Sequence, residues 1–212
     1  MNKPIVGDQI ITGNLILGGG IKNATEIEAE KVTTEVIGLP EKTPVNAVAA
    51  SGKLVSTGTR VSDGEKVTIG TTVYTFKTAL TNPAVAYEVL IGANTGAQAT
   101  NLVAAIMGTA GAGTTYGTGT VAHTLVSAAV ADTDDVALTA KTKGVAGNAI
   151  ATSDDSDQLS WAETAETLEG GIDGTVGVTN EICADDSYLY HCIGANTITG
   201  ANWRRIARGN VY

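Results

Sequence analysis

The chain has 212 residues and a formal net charge of −9, and its 43% hydrophobic content contains only 4% aromatic residues beside 26 glycines. So acidic a chain lacks the basic face that neutralises a phosphate backbone, which argues against nucleic-acid binding, and 17% charged residues are too few for a disordered polyanion. No window approaches the ~18 consecutive apolar residues of a membrane span, and MNKPIVGDQ does not read as a signal peptide, so the expectation is a soluble protein made in a cytoplasm, with no membrane partner.

Residues 1–43 string together short β-branched and apolar runs broken by Gly13 and by Gly18, Gly19 and Gly20, with alternation at Ile27, Ala29 and Lys31 and again at Val32, Thr34 and Val36. Each such strand offers one apolar row and no aromatic side chain. The segment therefore reads as an N-terminal β arm for attachment or oligomerisation, lying against the rest of the chain or against identical copies. Helix is the competing reading for residues 24–36, which carry helix formers and a Glu28/Lys31 pair. Residues 39–51, with Pro40 and Pro44, read as a linker into a central module over residues 44–173.

In that module the run VSDGEKVTIGTTVYTFK predicts a hairpin turning at Gly70-Thr71, with glycine first as a type II′ turn prefers. Ile69 then faces Thr72, Val67 faces Tyr74 and Glu65 faces Phe76, which gathers Val67, Ile69, Tyr74 and Phe76 on one apolar face. After a connection containing Asn82-Pro83, residues 88–91 read as a strand. Asn94 or Thr95 caps a helix whose Ala99, Leu102, Val103, Ile106 and Met107 recur at helical spacing, and Gly108 stops it. Helix and sheet together bury a core. The glycine-rich residues 108–119 around Tyr116 have neither a phosphate-binding pattern nor a neighbouring lysine, and read as a mobile or close-packed loop. Residues 124–130 and the alternating Val136, Leu138 and Ala140 form a second hairpin across an acidic turn, residues 148–152 a short strand, and Trp161 an aromatic plug for the core.

Residues 174–212 form a small C-terminal β piece with strands at residues 181–183, 188–193 and 203–207, and the piece carries three of the six tyrosines and one of the two tryptophans. Tyr188, Tyr190 and Trp203 are its candidate ligand-stacking or interface residues. Arg204 and Arg205, with Arg208, form a basic cluster suited either to an acidic patch on a neighbouring subunit or to blunting a strand edge. A turn at Asp185-Asp186 sets Cys183 opposite Tyr188 and not Cys192, so both cysteines are expected as free, partly buried thiols. The aspartates at 132, 134 and 135 and at 154, 155 and 157 lack the glycine and glutamate of a calcium loop and read as solvated turns. His123 and His191 have no local catalytic pattern, and no cofactor or metal site is expected.

The runs DGEKVTIGTTVYTFKTAL, EVLIGANTGAQATNLVAAI, GTTYGTGTVAHTLVSA, GVAGNAIATS and TLEGGIDG resemble a module recurrent in structural proteins of tailed bacteriophages, and DDSYLYHCIGANTITGANWRRIA is similar to the C-terminal strands of phage tail-fibre and head-decoration proteins. The resemblance spans about residues 52–207. It implies a non-enzymatic, usually homotrimeric virion subunit. The expectation is a predominantly β α+β protein of antiparallel sheets with one helix on the central sheet, acting as a capsid decoration, cement or head-fibre protein whose partners are itself and the major capsid protein or another virion protein. The alternative is a tail or tail-fibre component for receptor or glycan attachment, with Tyr188, Tyr190 and Trp203 stacking on the glycan. A third reading, a glycan hydrolase, would need two carboxylates at fixed separation.

Overall fold

The computed structural model describes residues 39–81 and 85–208, so the expected arm, up to residue 38, and the Asn82-Pro83 connection lie outside the described residues. Among the described residues the architecture is predominantly β with a single long helix, as the residue patterns predict.

The first hairpin forms in the expected register. β2 (Lys66–Ile69) and β3 (Thr72–Lys77) pair Ile69 with Thr72 and Val67 with Tyr74, and Phe76 N donates to Glu65 O at 2.8 Å. Gly70 sits at φ 59°, which the first central position of a II′ turn requires and a side chain would strain. Val67, Ile69, Tyr74 and Phe76 are fully buried, while Lys66 and Val73 on the other face are exposed. One pairing departs from the antiparallel expectation. β4 (Glu88–Leu90) runs parallel to β3, with Val89 beside Phe76.

A second sheet provides the opposite wall. β1 (Ala49–Ser56) is flanked by β6 (Asp135–Lys143) and β8 (Leu159–Trp161), with β5 (Val126–Ala131) outside β6, all antiparallel. β7 (Thr152–Asp154) instead joins the outer side of β2, so the sheets run β5-β6-β1-β8 and β4-β3-β2-β7. The segment read as a linker thus ends inside a central strand, with Ala50 and Leu54 buried. Its Ala-Ala-Ser-Gly composition hid the strand, and a Cβ on Gly52 would stand 2.5 Å from Leu168 Cδ2, so small size here is a packing requirement.

α1 (Thr95–Met107) begins where the Asn94 side chain accepts from Ala97 N and ends at Gly108, φ 62°, in the left-handed region. It runs against β5 and β6 as well as β4. Its buried face, Gln98, Ala99, Leu102, Ala105 and Ile106, is rotated from the expected one, leaving Val103 and Met107 half-buried. The rotation brings a polar residue inside, and Gln98 Oε1 accepts from Val61 N at 2.9 Å. Both sheets and α1 share one hydrophobic core, against which Trp161 lies half-buried. The hairpin's greasy face is therefore covered by a second sheet in addition to the helix.

Residues around Tyr116 close-pack, as one of the two expected alternatives had it. Leu90 N donates to Thr115 O, Gly117 N to Glu88 O, and the buried Tyr116 hydroxyl donates to Thr109 O. His123 is also buried, with Nδ1 accepting from Leu125 N and Val126 N and Nε2 3.1 Å from Ile69 O, so it links the two sheets. The Asp132 and Asp135 carboxylates meet Lys53, Asp135 also accepts from Ser56 N, and Asp155 accepts from Lys66 N. Both aspartate clusters are thereby tied into turn and strand-end geometry.

The third sheet consists of β9 (Ile182–Ala184), β10 (Tyr188–Cys192) and β11 (Trp203–Ala207), in the order β11-β10-β9. Its register corrects one expectation, because Cys183 lies opposite Tyr190 rather than Tyr188. The Asp185 carboxylate accepts from Ser187 N and Tyr188 N, which makes Asp185 the residue before the turn and not a central one. Both cysteines are free and buried.

Candidate functional site

Alternation in the third sheet separates a packed inner face from an open outer one. Paired residues share a face, so Cys192 with Trp203, Cys183 with Tyr190 and Arg205, and Tyr188 with Ala207 line the inner side. Cys183, Tyr190, Cys192 and Trp203 make a second small core with Tyr188 against it. Burial pushes the Cys183 thiol above its ordinary pKa, so it is a packing residue and not a nucleophile.

Residues 40–46 complete this core from the far end of the chain. Lys42 N donates to Ala184 O and Ala184 N to Pro40 O, so the segment lies along β9. The Lys42 ammonium bonds Glu181 at 2.8 Å and Val176 O at 2.9 Å, and stands 4.9 Å from the Trp203 ring centroid. Trp203 Nε1 donates to Thr175 O at 2.7 Å, and a Cβ on Gly177 would stand 2.3 Å from its Cζ2. Asn196, which the sequence reading did not single out, is buried and organises the loop before β11, with Nδ2 donating to Thr175 O at 2.6 Å and Oδ1 accepting from Asn202 N at 2.8 Å.

The five residues singled out from the sequence come together. Between the incoming segment and β11 lies an open groove of about 450 Å³ lined by Thr43, Pro44, Val45, Asn46, Tyr190, Trp203, Arg204 and Arg205. The Arg205 guanidinium stands 4.6 Å from the centroid of the half-buried Tyr188 ring. Their exposure sorts the two roles expected of them. Trp203 is 4% exposed and Tyr190 5%, so neither presents a free ring face to a glycan; the packed core occupies them. Arg204 and Arg205 are exposed. The signal for the aromatics was concentration at one end of the chain, and nothing local in the sequence foretells Asn46 as a lining residue.

Asp185 holds two of the residues that line the groove. Besides the two turn N–H groups, it accepts from the Tyr190 hydroxyl at 2.7 Å and the Thr43 hydroxyl at 3.2 Å. The Tyr190 hydrogen bond, followed by the backbone donors, holds its carboxyl below the usual range, and the same bond raises the Tyr190 phenol. A carboxylate whose folded pKa is depressed contributes stability that is fully present above its unfolded pKa, about 3.9, and is lost as pH falls through the folded value. Asp185→Asn is therefore expected to lower the urea midpoint at pH 7, with the gap from wild type closing progressively below pH ~4. A gap that stays constant with pH would show that the charge of Asp185 plays no part.

Elsewhere among the described residues no group of His, Cys, Asp and Glu is placed to hold a metal ion, and no helix is long and apolar enough to cross a membrane. His191 is half-buried, 3.4 Å from Asn180 Oδ1. The site is a protein surface with arginines at its rim and a filled aromatic core beneath. No family model, no curated protein and no solved structure matches the chain.

Proposed function

We propose that the chain is a non-enzymatic structural protein of a tailed-phage virion, a trimeric decoration, cement or head-fibre subunit that binds the assembled shell. The observation that carries the reading is the apolar outer surface of the C-terminal piece. Ile206 is 65% exposed and Ile182 43%, on the same face as half-buried Leu189, and Val176, Val178, Ile193 and Ile198 are exposed nearby. A concentration of this kind on one piece of a fold marks a protein contact. The resemblance across residues 52–207 names the kind of partner, and a β scaffold whose polar groups serve caps and turns suits a mechanical role. A subunit that binds only the assembled shell stabilises that state by linkage.

Light scattering on the purified protein, with and without residues 1–43, together with sedimentation against shells that lack it and against isolated tails, tests the reading. The expected result is a mass of three chains that falls on truncation, with co-sedimentation on shells and a raised shell melting temperature. Binding to tails alone would replace decoration by tail attachment. A monomer that binds neither particle would overturn the proposal.

A further inference from the structure

The outer edge of β11 carries backbone groups with a defined phase. Ile193 N donates to Asn202 O and Arg208 N to Ser187 O. These bonds flank Cys192–Trp203 and Tyr188–Ala207, the non-hydrogen-bonded pairs of an antiparallel ladder. Trp203, Arg205 and Ala207 consequently turn their N–H and C=O away from β10. At Trp203 the side-chain amide of Asn46 takes both groups: Trp203 N donates to Oδ1 at 3.1 Å, and Nδ2 donates to Trp203 O at 3.3 Å. Asn46 thus imitates one residue of a fourth strand. Arg205 and Ala207 have no backbone partner at that edge among the described residues, and the groove opens beside Arg205.

We infer that this edge receives an extended, acidic segment of a partner protein as a fourth strand, with an apolar side chain beside Ile206 and carboxylates beside the arginines. The inference deepens the structural-protein reading and rests on it for the partner being a protein. Charge selects the occupant. Arg204, Arg205 and Arg208 are all exposed on an otherwise acidic chain, and Arg204 and Arg205 have no ion-pair partner among the described residues. The same charges disfavour a second β11, because two-fold pairing centred on Arg205 would set Arg205 against Arg205, and pairing centred on Ile206 would set Arg204 against Arg208; like charges directly opposite destabilise a ladder. Side-chain rows give the incoming pattern. Ala184, Leu189 and Ile206 form one row across the outer face, and an apolar residue opposite Ile206 extends it. The main chain supplies affinity in such a mode, and the side-chain rows supply specificity.

Fluorescence anisotropy with the full chain and the labelled peptide Glu-Thr-Val-Glu-Glu, which ends short of the position Asn46 fills, tests the inference. In antiparallel order its valine falls opposite Ile206 and its glutamates opposite Arg208, Arg205 and Arg204. Saturable binding is expected, with no binding of the peptide that has lysine for each glutamate. Ala207→Pro removes an N–H that points away from β10, so the existing ladder survives, and binding should weaken about tenfold, as losing one or two net hydrogen bonds implies. N-methylating the peptide at the residues opposite Ala207 and Arg205 should do the same without altering the protein. Equal binding of the lysine peptide would overturn the selection of the occupant by charge, and indifference to both the proline and the N-methyl groups would overturn strand addition in favour of loose charge attraction. Absence of acidic-peptide binding by a chain that still co-sediments with shells would overturn this inference and leave the structural-protein reading intact.

Discussion

Trp203→Ala is expected to release the C-terminal sheet while the rest of the fold stays cooperative. Truncating a buried tryptophan costs about 3–5 kcal/mol through lost transfer energy and the cavity left behind, and this side chain is the largest member of a core with only three other buried residues. Its removal also leaves Thr175 O without the indole donor and withdraws the ring from Gly177 and Lys42. Three short strands have little else to hold them together. Hydrogen exchange should therefore accelerate in the amides of β9, β10 and β11 while those of β2, β3 and β6 keep their protection, and Trp161 should report an unchanged environment for the main core. Trp203→Phe keeps most of the volume and loses the Nε1 bond, so it should cost only about 1 kcal/mol. Uniform loss of protection through both regions in Trp203→Ala would refute the separation into two cores.

What could be read from the residues, and what could not, follows from the range of the interactions involved. The hairpin of β2 and β3 was legible because Gly70 fixes the turn and the turn fixes the register. The ends of α1 were legible for the same reason, since Asn94 and Gly108 act on their own neighbours. β1 was hidden because its burial comes from β6 and β8, encoded far along the chain, while its own small residues carry little strand signal. The direction of β4 is not encoded in its own side chains, which fit a parallel or an antiparallel neighbour equally. In the candidate site, the gathering of Tyr190, Trp203, Arg204 and Arg205 followed from their place on adjacent strands. The inward orientation of Trp203 did not, because Gly177 and Thr175 create its pocket and Asn46 arrives from the other end of the described chain.

Phe76→Ala should unfold the central module at a much lower urea concentration, and should take the C-terminal sheet with it. The ring is fully buried beside Val89, and together with Leu54, Gln98, Ala99, Leu102, Val136 and Leu159 it borders an internal void of only about 10 Å³. Those walls belong to both sheets and to α1, so no single shift can fill the space the ring would vacate. The loss should then reach about 3–5 kcal/mol, a large part of the ~5–15 kcal/mol by which such domains are stable. Val73→Ala, on the exposed face of the same strand, is the control and should stay within about 0.5 kcal/mol of wild type. Dependence between the two cores is expected to run in one direction. The small sheet is tied to the module through Ala47 N to Gly200 O and Thr175 N to Val45 O, while the module's core contains no residue of that sheet. In a Trp161→Phe background, where Trp203 is the remaining reporter, its emission should shift in the same transition as the far-ultraviolet signal of the module. Persistence of native Trp203 emission after the module has melted would show that the C-terminal sheet stands alone, and would count against treating the rest of the fold as its support.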